Sequence, residues 1–135
     1  MNEKCVMIID EDLPIGEIAN TAAILGITLG GRFPEIVGDD VTDGSGKPHI
    51  GVIKIPVPIL KGSREDIKKL RFKLYDRQFG DVTAVDFTDL AQGCKTYDEF
   101  IDKMSYTDQL DYIGLAICGE KKKINKLTGS FPLMK

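Results

Sequence analysis

Residues 4–31 constrain the fold more than any other part of the chain. They contain a continuous apolar run at residues 5–9, a short acidic loop, and an apolar segment at residues 18–31. A run rich in β-branched residues is typical of a central strand covered on both faces. The apolar residues of the following segment recur at helical spacing. A strand, loop and helix in this order predict an α/β domain whose loop lies where open α/β sheets bind ligands.

The predicted helix at residues 18–31 has distinctive ends and an unusually apolar surface. Asp12 is expected to cap its N-terminus, with Pro14 in the first turn, where a missing N–H costs nothing. Gly30 and Gly31 are expected to end it as a C-cap. Few polar residues interrupt its surface, so we expect burial on more than one side, either in the core or in a subunit interface.

Three further segments complete the predicted sheet. We expect strands at residues 5–9, 53–59, 82–86 and 113–118, with the first and last at the centre. Pro56 and Pro58 lack N–H groups and place the second strand at an edge. Helices are expected from Ser63 to Gly80 and from Thr96 onward. The chain is thus predicted to be one α/β domain over residues 1–135, a three-layer-like arrangement in which helices cover a mixed, about four-stranded sheet.

Composition restricts the functional classes. The net charge is −3, so no global positive field attracts nucleic acid. The three cysteines are odd in number and irregularly spaced, so they predict small buried hydrophobic residues in a reducing cytoplasm and no disulfide framework. No apolar run is long enough to span a membrane, and no secretory signal is recognisable. We therefore predict a cytoplasmic protein without membrane contact.

The loop after the first strand is the main candidate for ligand binding. Four carboxylates lie within it or just beyond it: Asp10, Glu11, Asp12 and Glu17. Close carboxylates bind cations or basic ligands, although a helix cap among solvated neighbours is the more common explanation of such a loop. Asn20 would line the same pocket. His49 is the only histidine, either a general base or an exposed loop residue, and no metal site or cofactor is predicted.

Two lysine-rich segments, residues 68–73 and 121–126, are the basic features of the chain. Lysines at these positions can contact phosphates, but solvated helix faces are the more common explanation, and the net negative charge agrees with it. Aromatic residues do not interleave with them, so nucleic-acid binding is disfavoured.

The two ends of the chain resemble the type 2 peptidyl-tRNA hydrolases. The opening residues 4–16 contain Lys-Cys-Val-Met-Ile-Ile, Asp-Leu and Gly, and residues 119–129 contain Ile-Asn-Lys-Leu-Thr-Gly. In particular they resemble an uncharacterised bacterial branch, a domain of unknown function. The resemblance implies the same fold, a homodimer, and a catalytic aspartate matching Asp86 or Asp89. It departs at Pro14 and Glu17, where the hydrolases carry lysines.

Three functions follow. The first is binding of a small, basic or amine-bearing ligand at the mouth of the first strand, by Asp10, Asp12, Glu17, Asn20 and His49. The second is hydrolysis of peptidyl-tRNA or related aminoacyl esters, in which Asp86 or Asp89 acts with a water. The third is a structural role as a module that dimerises through residues 18–29.

Overall fold

Residues 3–135 are described by a computed structural model. Two short 3-10 helices lie at Pro34–Ile36 and Arg77–Phe79. The other elements, in chain order, are β1 (Glu3–Asp10), α1 (Ile15–Arg32), β2 (Val41–Thr42), β3 (Pro48–His49), β4 (Ile59–Gly62), α2 (Arg64–Lys73), β5 (Thr83–Thr88), α3 (Asp89–Gly93), α4 (Tyr97–Tyr106), β6 (Tyr112–Glu120) and α5 (Lys121–Thr128).

The main sheet has four strands in the order β4-β1-β6-β5. Strand β1 pairs with β4 in parallel and with β6 antiparallel, and β6 pairs antiparallel with β5. Strands β1, β4 and β5 therefore end at one edge of the sheet, where β6 begins. The predicted mixed sheet, with the first and last strands central, is confirmed. The short strands β2 and β3 form a separate hairpin.

The predicted strand at residues 53–59 is wrong in its boundaries, although its edge position is correct. Pairing with β1 begins at Ile59, after the two prolines, and continues to Gly62. Of the preceding residues, Ile53 makes an isolated bridge to Val37. Proline cannot donate a ladder hydrogen bond, so regular pairing starts only after Pro58. Its carbonyl oxygen still accepts the Met7 N–H at 3.0 Å.

Helices cover both faces of the sheet. Helix α1 packs on one face, where Leu25 and Leu29 join the buried side chains of Met7 and Ile113. Helices α2 and α5 pack on the other face through Ile67, Leu70, Ile124 and Leu127. The predicted three-layer arrangement is therefore confirmed. No helix in residues 3–135 is long and apolar enough to cross a membrane.

Helix α1 differs from its prediction at both ends and on its outer face. Pro14 occupies the N-cap position without a side-chain cap bond, so Asp12 does not cap the helix. The helix ends at Arg32 with Phe33 as C-cap, and not at the glycine pair. It is buried on one face only, since Ile15 is 86% exposed and Ile27 is 77% exposed.

The other predicted helix caps give a mixed result. Ser63 Oγ accepts from Asp66 N–H, and Thr96 Oγ1 accepts from Glu99 N–H, each at 3.1 Å. Both predicted helix starts are therefore confirmed. Helix α2 ends at Lys73, well before Gly80, because a turn and the second 3-10 helix follow it.

The C-terminal segment protects the outer side of β4. Lys61 N–H donates to the Pro132 carbonyl, and Met134 N–H donates to the Ile59 carbonyl, both at 2.9 Å. The Phe131 ring lies against Gly62, where an added Cβ would approach its ring carbons to 2.8 Å. Glycine at this position therefore allows the C-terminal segment to lie close to the end of the strand.

Two of the three cysteines form a disulfide, which corrects the expectation of free thiols. Cys5 on β1 and Cys118 on β6 lie directly opposite each other, with Cα atoms 4.2 Å apart. Adjacent antiparallel strands place facing residues within bonding range irrespective of their separation along the chain, here 113 residues. Cys94 is a half-buried free thiol.

Candidate functional site

The buried carboxylate of Asp10 lies where β1 ends. Asp10 is 3% exposed, and its Oδ2 accepts a hydrogen bond from Arg64 Nε at 2.6 Å. Its Oδ1 accepts the Asp12 N–H at 3.0 Å. Arg64 begins α2, so the pair joins the ends of the two parallel strands β1 and β4. This hydrogen bond and the nearby negative charge raise the pKa of Arg64 above its usual range.

A second carboxylate extends this contact towards β5 and β6. Arg64 Nη1 lies 3.4 Å from Asp111 Oδ2. The Asp111 N–H donates to Asp89 Oδ1 at 3.2 Å, and the Asp89 N–H donates to the Asp111 carbonyl at 3.0 Å. We call Asp10, Arg64, Asp111 and Asp89 the edge network. It links the ends of β1 and β5 and the starts of α2 and β6, so it holds this edge of the sheet in one geometry.

The other loop residues proposed as ligands are exposed. Asp12, Glu17 and Asn20 lie on the surface, and no ion pair involves their side chains within residues 3–135. The structure therefore brings Asp12 beside Asp10 through its backbone, while Glu17 and Asn20 lie further along, on α1. Glu11 N–H donates to the Gly62 carbonyl at 3.1 Å, which ties the loop to the end of β4.

His49 lies in the hairpin and not in the loop after β1. Its Nε2 is 2.7 Å from Asp43 Oδ2 in the same hairpin. The hydrogen bond with His49, together with bonds from Ser45 and Lys47, holds the pKa of Asp43 far below its usual range. The structure gives His49 a partner in the hairpin turn, and its proposed role in ligand binding stays a prediction.

The two candidate catalytic aspartates have separate surroundings. Asp86 Oδ2 accepts a hydrogen bond from Arg71 Nε at 2.8 Å, and Arg71 lies over the Tyr75 ring at 4.0 Å. Asp89 uses Oδ1 for the N–H groups of Leu90 and Asp111. Asp89 thus belongs to the edge network, whereas Asp86 pairs with an arginine of α2. The catalytic assignment of either residue stays a prediction.

A groove lies beside the loop after β1. It has a volume of about 470 Å³, within the range of small-molecule pockets. Its walls come from the end of β4, helix α2 and the C-terminal segment. The lining residues are Glu11, Lys61, Gly62, Ser63, Asp66, Lys69, Leu70, Lys73, Leu127, Ser130, Phe131 and Pro132.

The groove combines charges of both signs with an apolar surface. Glu11 and Asp66 have no ion-pair partner in the described part of the chain. Lys69 pairs with Glu65 at 3.3 Å, whereas Lys61 and Lys73 pair with no carboxylate in residues 3–135. Such a site can hold an ammonium group and an acidic group of one ligand, with its apolar part against Phe131.

The groove borders the acidic loop that the sequence indicated, but most of its lining residues lie elsewhere in the chain. Of these lining residues, only Glu11 belongs to the loop for which the sequence predicted a small ligand, although Lys69 and Lys73 lie in a segment considered for phosphate contacts. Lys61, Ser63 and Phe131 depend on where β4 ends and on the return of the C-terminal segment along it. The Pro-Val-Pro motif signals an interrupted strand, but no local pattern pairs residues 130–132 with β4. Within residues 3–135, no group of three or more His, Cys, Asp or Glu is placed to hold a metal.

The sheet and the helices on both of its faces define the class of protein, a compact α/β domain with a mixed four-stranded sheet. Within that class, the family model described as a protein of unknown function (DUF2000) matches residues 3–135, and the chain belongs to this family. No curated protein matches the chain.

A solved structure has the same fold. It is that of a protein of unknown function, Atu0240 from Agrobacterium tumefaciens strain C58, with a TM-score of 0.89 and 20% sequence identity. The match covers 100% of this chain and 99% of that chain. At this identity the similarity concerns the fold alone. Nothing in these matches ties the chain to the peptidyl-tRNA hydrolases, so that resemblance is not supported.

Proposed function

We propose that this protein binds a small amine-bearing molecule in the groove beside the loop after β1. The observation that carries the proposal is the groove itself, at the carboxyl ends of the parallel strands β1 and β4 and lined by unpaired charged groups. Open α/β sheets place their ligands at this edge. The loop is the one that the sequence indicated, but the contact residue is Glu11 in place of Asp10.

The division of labour between the carboxylates follows from their burial. Asp10 is buried and its oxygens accept bonds from Arg64 and Asp12, so its role is to hold the end of β1 in position. Glu11 and Asp66 line the groove and are the groups that would accept an ammonium donor. Charge-assisted hydrogen bonds of this kind are roughly twice as strong as neutral ones.

The lysines of the groove specify the rest of the ligand. Lys61 and Lys73 line the same groove, and they suit a carboxylate or another acidic group. Leu70 and Phe131 supply apolar surface between the charged ends. The ligand class that fits both signs is a zwitterion with an apolar side group, such as an amino acid or a short peptide end.

The proposal can be tested by amide-detected NMR with free amino acids and the matching amines that lack a carboxylate. We expect amino acids to shift the Glu11, Ser63 and Phe131 signals more strongly than the simple amines do. Glu11→Gln and Asp66→Asn should each weaken the response. Glu35→Gln removes the same charge from an exposed position outside the groove and serves as the control. Shifts that avoid the groove, or an equal loss in the control, would contradict the proposal.

A second copy of the chain is proposed to cover the outward face of α1. Ile15, Ala19, Ala23 and Ile27 follow one another at four-residue spacing, and all are exposed. Such a row forms a ridge that packs against another helix. Light scattering should show a dimer, and Ile27→Glu should convert it to a monomer. A monomer at every accessible concentration of the unmodified protein would exclude this role.

A further inference from the structure

The two lysine-rich segments of the sequence meet around one cavity. Lys73 comes from the end of α2, and Lys122, Lys123 and Lys126 come from α5. The cavity has a volume of about 510 Å³. Its other lining residues are Gln78, Phe79, Glu120 and Leu127. Residues almost fifty positions apart in the chain thus contribute to one basic site.

Most of the positive charge around this cavity has no partner. Lys123 Nζ is engaged, since it donates to Asp81 Oδ1 at 2.9 Å and to the Gln78 carbonyl at 3.2 Å. Lys73, Lys122 and Lys126 make no ion pair with any carboxylate of residues 3–135. Glu120 is the one acidic residue among the lining residues. The cavity therefore carries a local excess of positive charge in a chain whose net charge is −3.

The floor of the cavity is apolar. Phe79 is 9% exposed and Leu127 is 8% exposed, so both lining residues are largely buried. The Lys73 ammonium lies 6.0 Å from the centre of the Phe79 ring. An aromatic or apolar group in the cavity would therefore contact carbon atoms while its charged part meets the lysines.

We propose that this cavity binds a small molecule that carries two or more phosphate charges and an apolar or aromatic group. Three unpaired ammonium groups suit an anion of that charge, and the cavity volume suits a ligand of nucleotide size. A nucleic-acid polymer fits less well, because the charge excess is confined to one cavity and the opposite loop carries exposed carboxylates. This inference does not rest on the ligand of the groove, although the two cavities share Lys73 and Leu127.

The proposal is tested by titrating the protein with pyrophosphate and with a nucleoside diphosphate at low ionic strength, followed by amide NMR. Both probes should shift signals from residues 78–79 and 122–127. The nucleoside diphosphate should bind more tightly, because its base can contact Phe79. Lys122→Ala/Lys126→Ala should weaken binding of both by about tenfold or more, since each lost charged hydrogen bond is costly.

The matched control is Lys121→Ala/Lys95→Ala, which removes the same charge, once from the same helix, but outside the cavity. Its affinities should fall much less, by about twofold, because neither lysine lines the cavity and each acts on the ligand only through longer-range attraction, without a direct hydrogen bond. Thermal melting of each variant shows whether it is folded. Equal weakening in both double variants would overturn the proposal. So would single-stranded RNA binding more tightly than the nucleoside diphosphate.

Discussion

Arg64 Nε donates to the buried Oδ2 of Asp10 over 2.6 Å, and this bond joins the end of β1 to the first residue of α2. The arginine side chain is 41% exposed, whereas the aspartate side chain is 4% exposed. The buried carboxylate therefore has few possible hydrogen-bond partners besides the arginine, whereas the arginine side chain can also contact water. Loss of Arg64 leaves a buried charge with only one backbone donor, Asp12 N–H.

Arg64→Met is expected to lower the free energy of unfolding by about 2 kcal/mol, because an uncompensated buried charge is costly. Asp10→Asn/Arg64→Met should lose less than this, since the double variant has no buried charge. Chemical denaturation of the two variants measures the difference. An Arg64→Met variant as stable as the unmodified protein would show that the contact does not support this edge.

Thr21 and Thr88 allow a paired test of buried hydroxyl groups. Both are buried, at 0% and 1% exposed. Thr21 Oγ1 has no hydrogen-bond partner in residues 3–135, whereas Thr88 Oγ1 accepts from the Ala91 N–H at 3.1 Å. Thr21→Val should raise the free energy of unfolding by about 1 kcal/mol, and Thr88→Val should lower it by about 1 kcal/mol. Changes of the same sign in both would refute this assignment.

Because of Tyr112, the free energy of unfolding should depend on pH in the alkaline range. Burial, with help from the charge of Asp86, raises the pKa of its phenol above 10.0. The unfolded state loses this proton near pH 10, before the folded state does. The contribution of Tyr112 to the free energy of unfolding is therefore complete below pH 10, and it falls as the pH rises from there through the folded pKa. Tyr112→Phe should flatten this part of the curve of unfolding free energy against pH, while Tyr97→Phe, at an exposed position, should leave it unchanged.

The disulfide between Cys5 and Cys118 predicts how many thiols react before and after reduction. Protein unfolded without reductant should show one reactive thiol, that of Cys94, and three after reduction. Because the bond closes a long loop, Cys5→Ala/Cys118→Ala should lower the free energy of unfolding by about 3 kcal/mol. Cys94→Ala is the control and should have a small effect. Three reactive thiols before reduction would show that Cys5 and Cys118 are unpaired.

Local patterns were sufficient for the strands that are buried on both faces. The apolar runs at β1 and β6 have no alternative to the centre of the sheet, and the Ser63 and Thr96 caps depend on residues three apart. The same reasoning failed at residues 53–59, where apolar alternation suggested pairing that the two prolines prevent. Contacts between chain segments far apart in sequence could not be predicted from local patterns.

In the candidate sites too, features formed by neighbouring residues were predicted, and contacts between distant residues were not. The acidic loop was found because its carboxylates are adjacent in the chain. The pairing of Asp10 with Arg64, the disulfide and the meeting of Lys73 with α5 all join residues more than 40 positions apart. A single sequence contains no local signal for such pairs, so the sequence did not indicate that Asp10 pairs with Arg64.

The last prediction concerns the hydrolase alternative. We expect no cleavage of peptidyl-tRNA at a rate comparable to that of the type 2 peptidyl-tRNA hydrolases. Affinity for tRNA comes largely from cations that neutralise phosphates. The loop after β1 and the first turn of α1 instead expose Glu11, Asp12 and Glu17. Each carboxylate near a phosphate costs about 1 kcal/mol even in a water-like dielectric.

The contacts of the two candidate catalytic aspartates also argue against rapid hydrolysis. Asp86 is paired with Arg71, and Asp89 Oδ1 accepts two backbone N–H groups. These bonds occupy one oxygen of each carboxylate, so only the other oxygen, Oδ1 of Asp86 or Oδ2 of Asp89, is left to activate a water. An assay of the purified protein on peptidyl-tRNA, with Asp86→Asn and Asp89→Asn alongside, measures this directly. Rapid turnover by the unmodified protein that is lost in either variant would replace the ligand-binding proposal with the hydrolase, because it would show that one of these carboxylates does chemistry despite its partners.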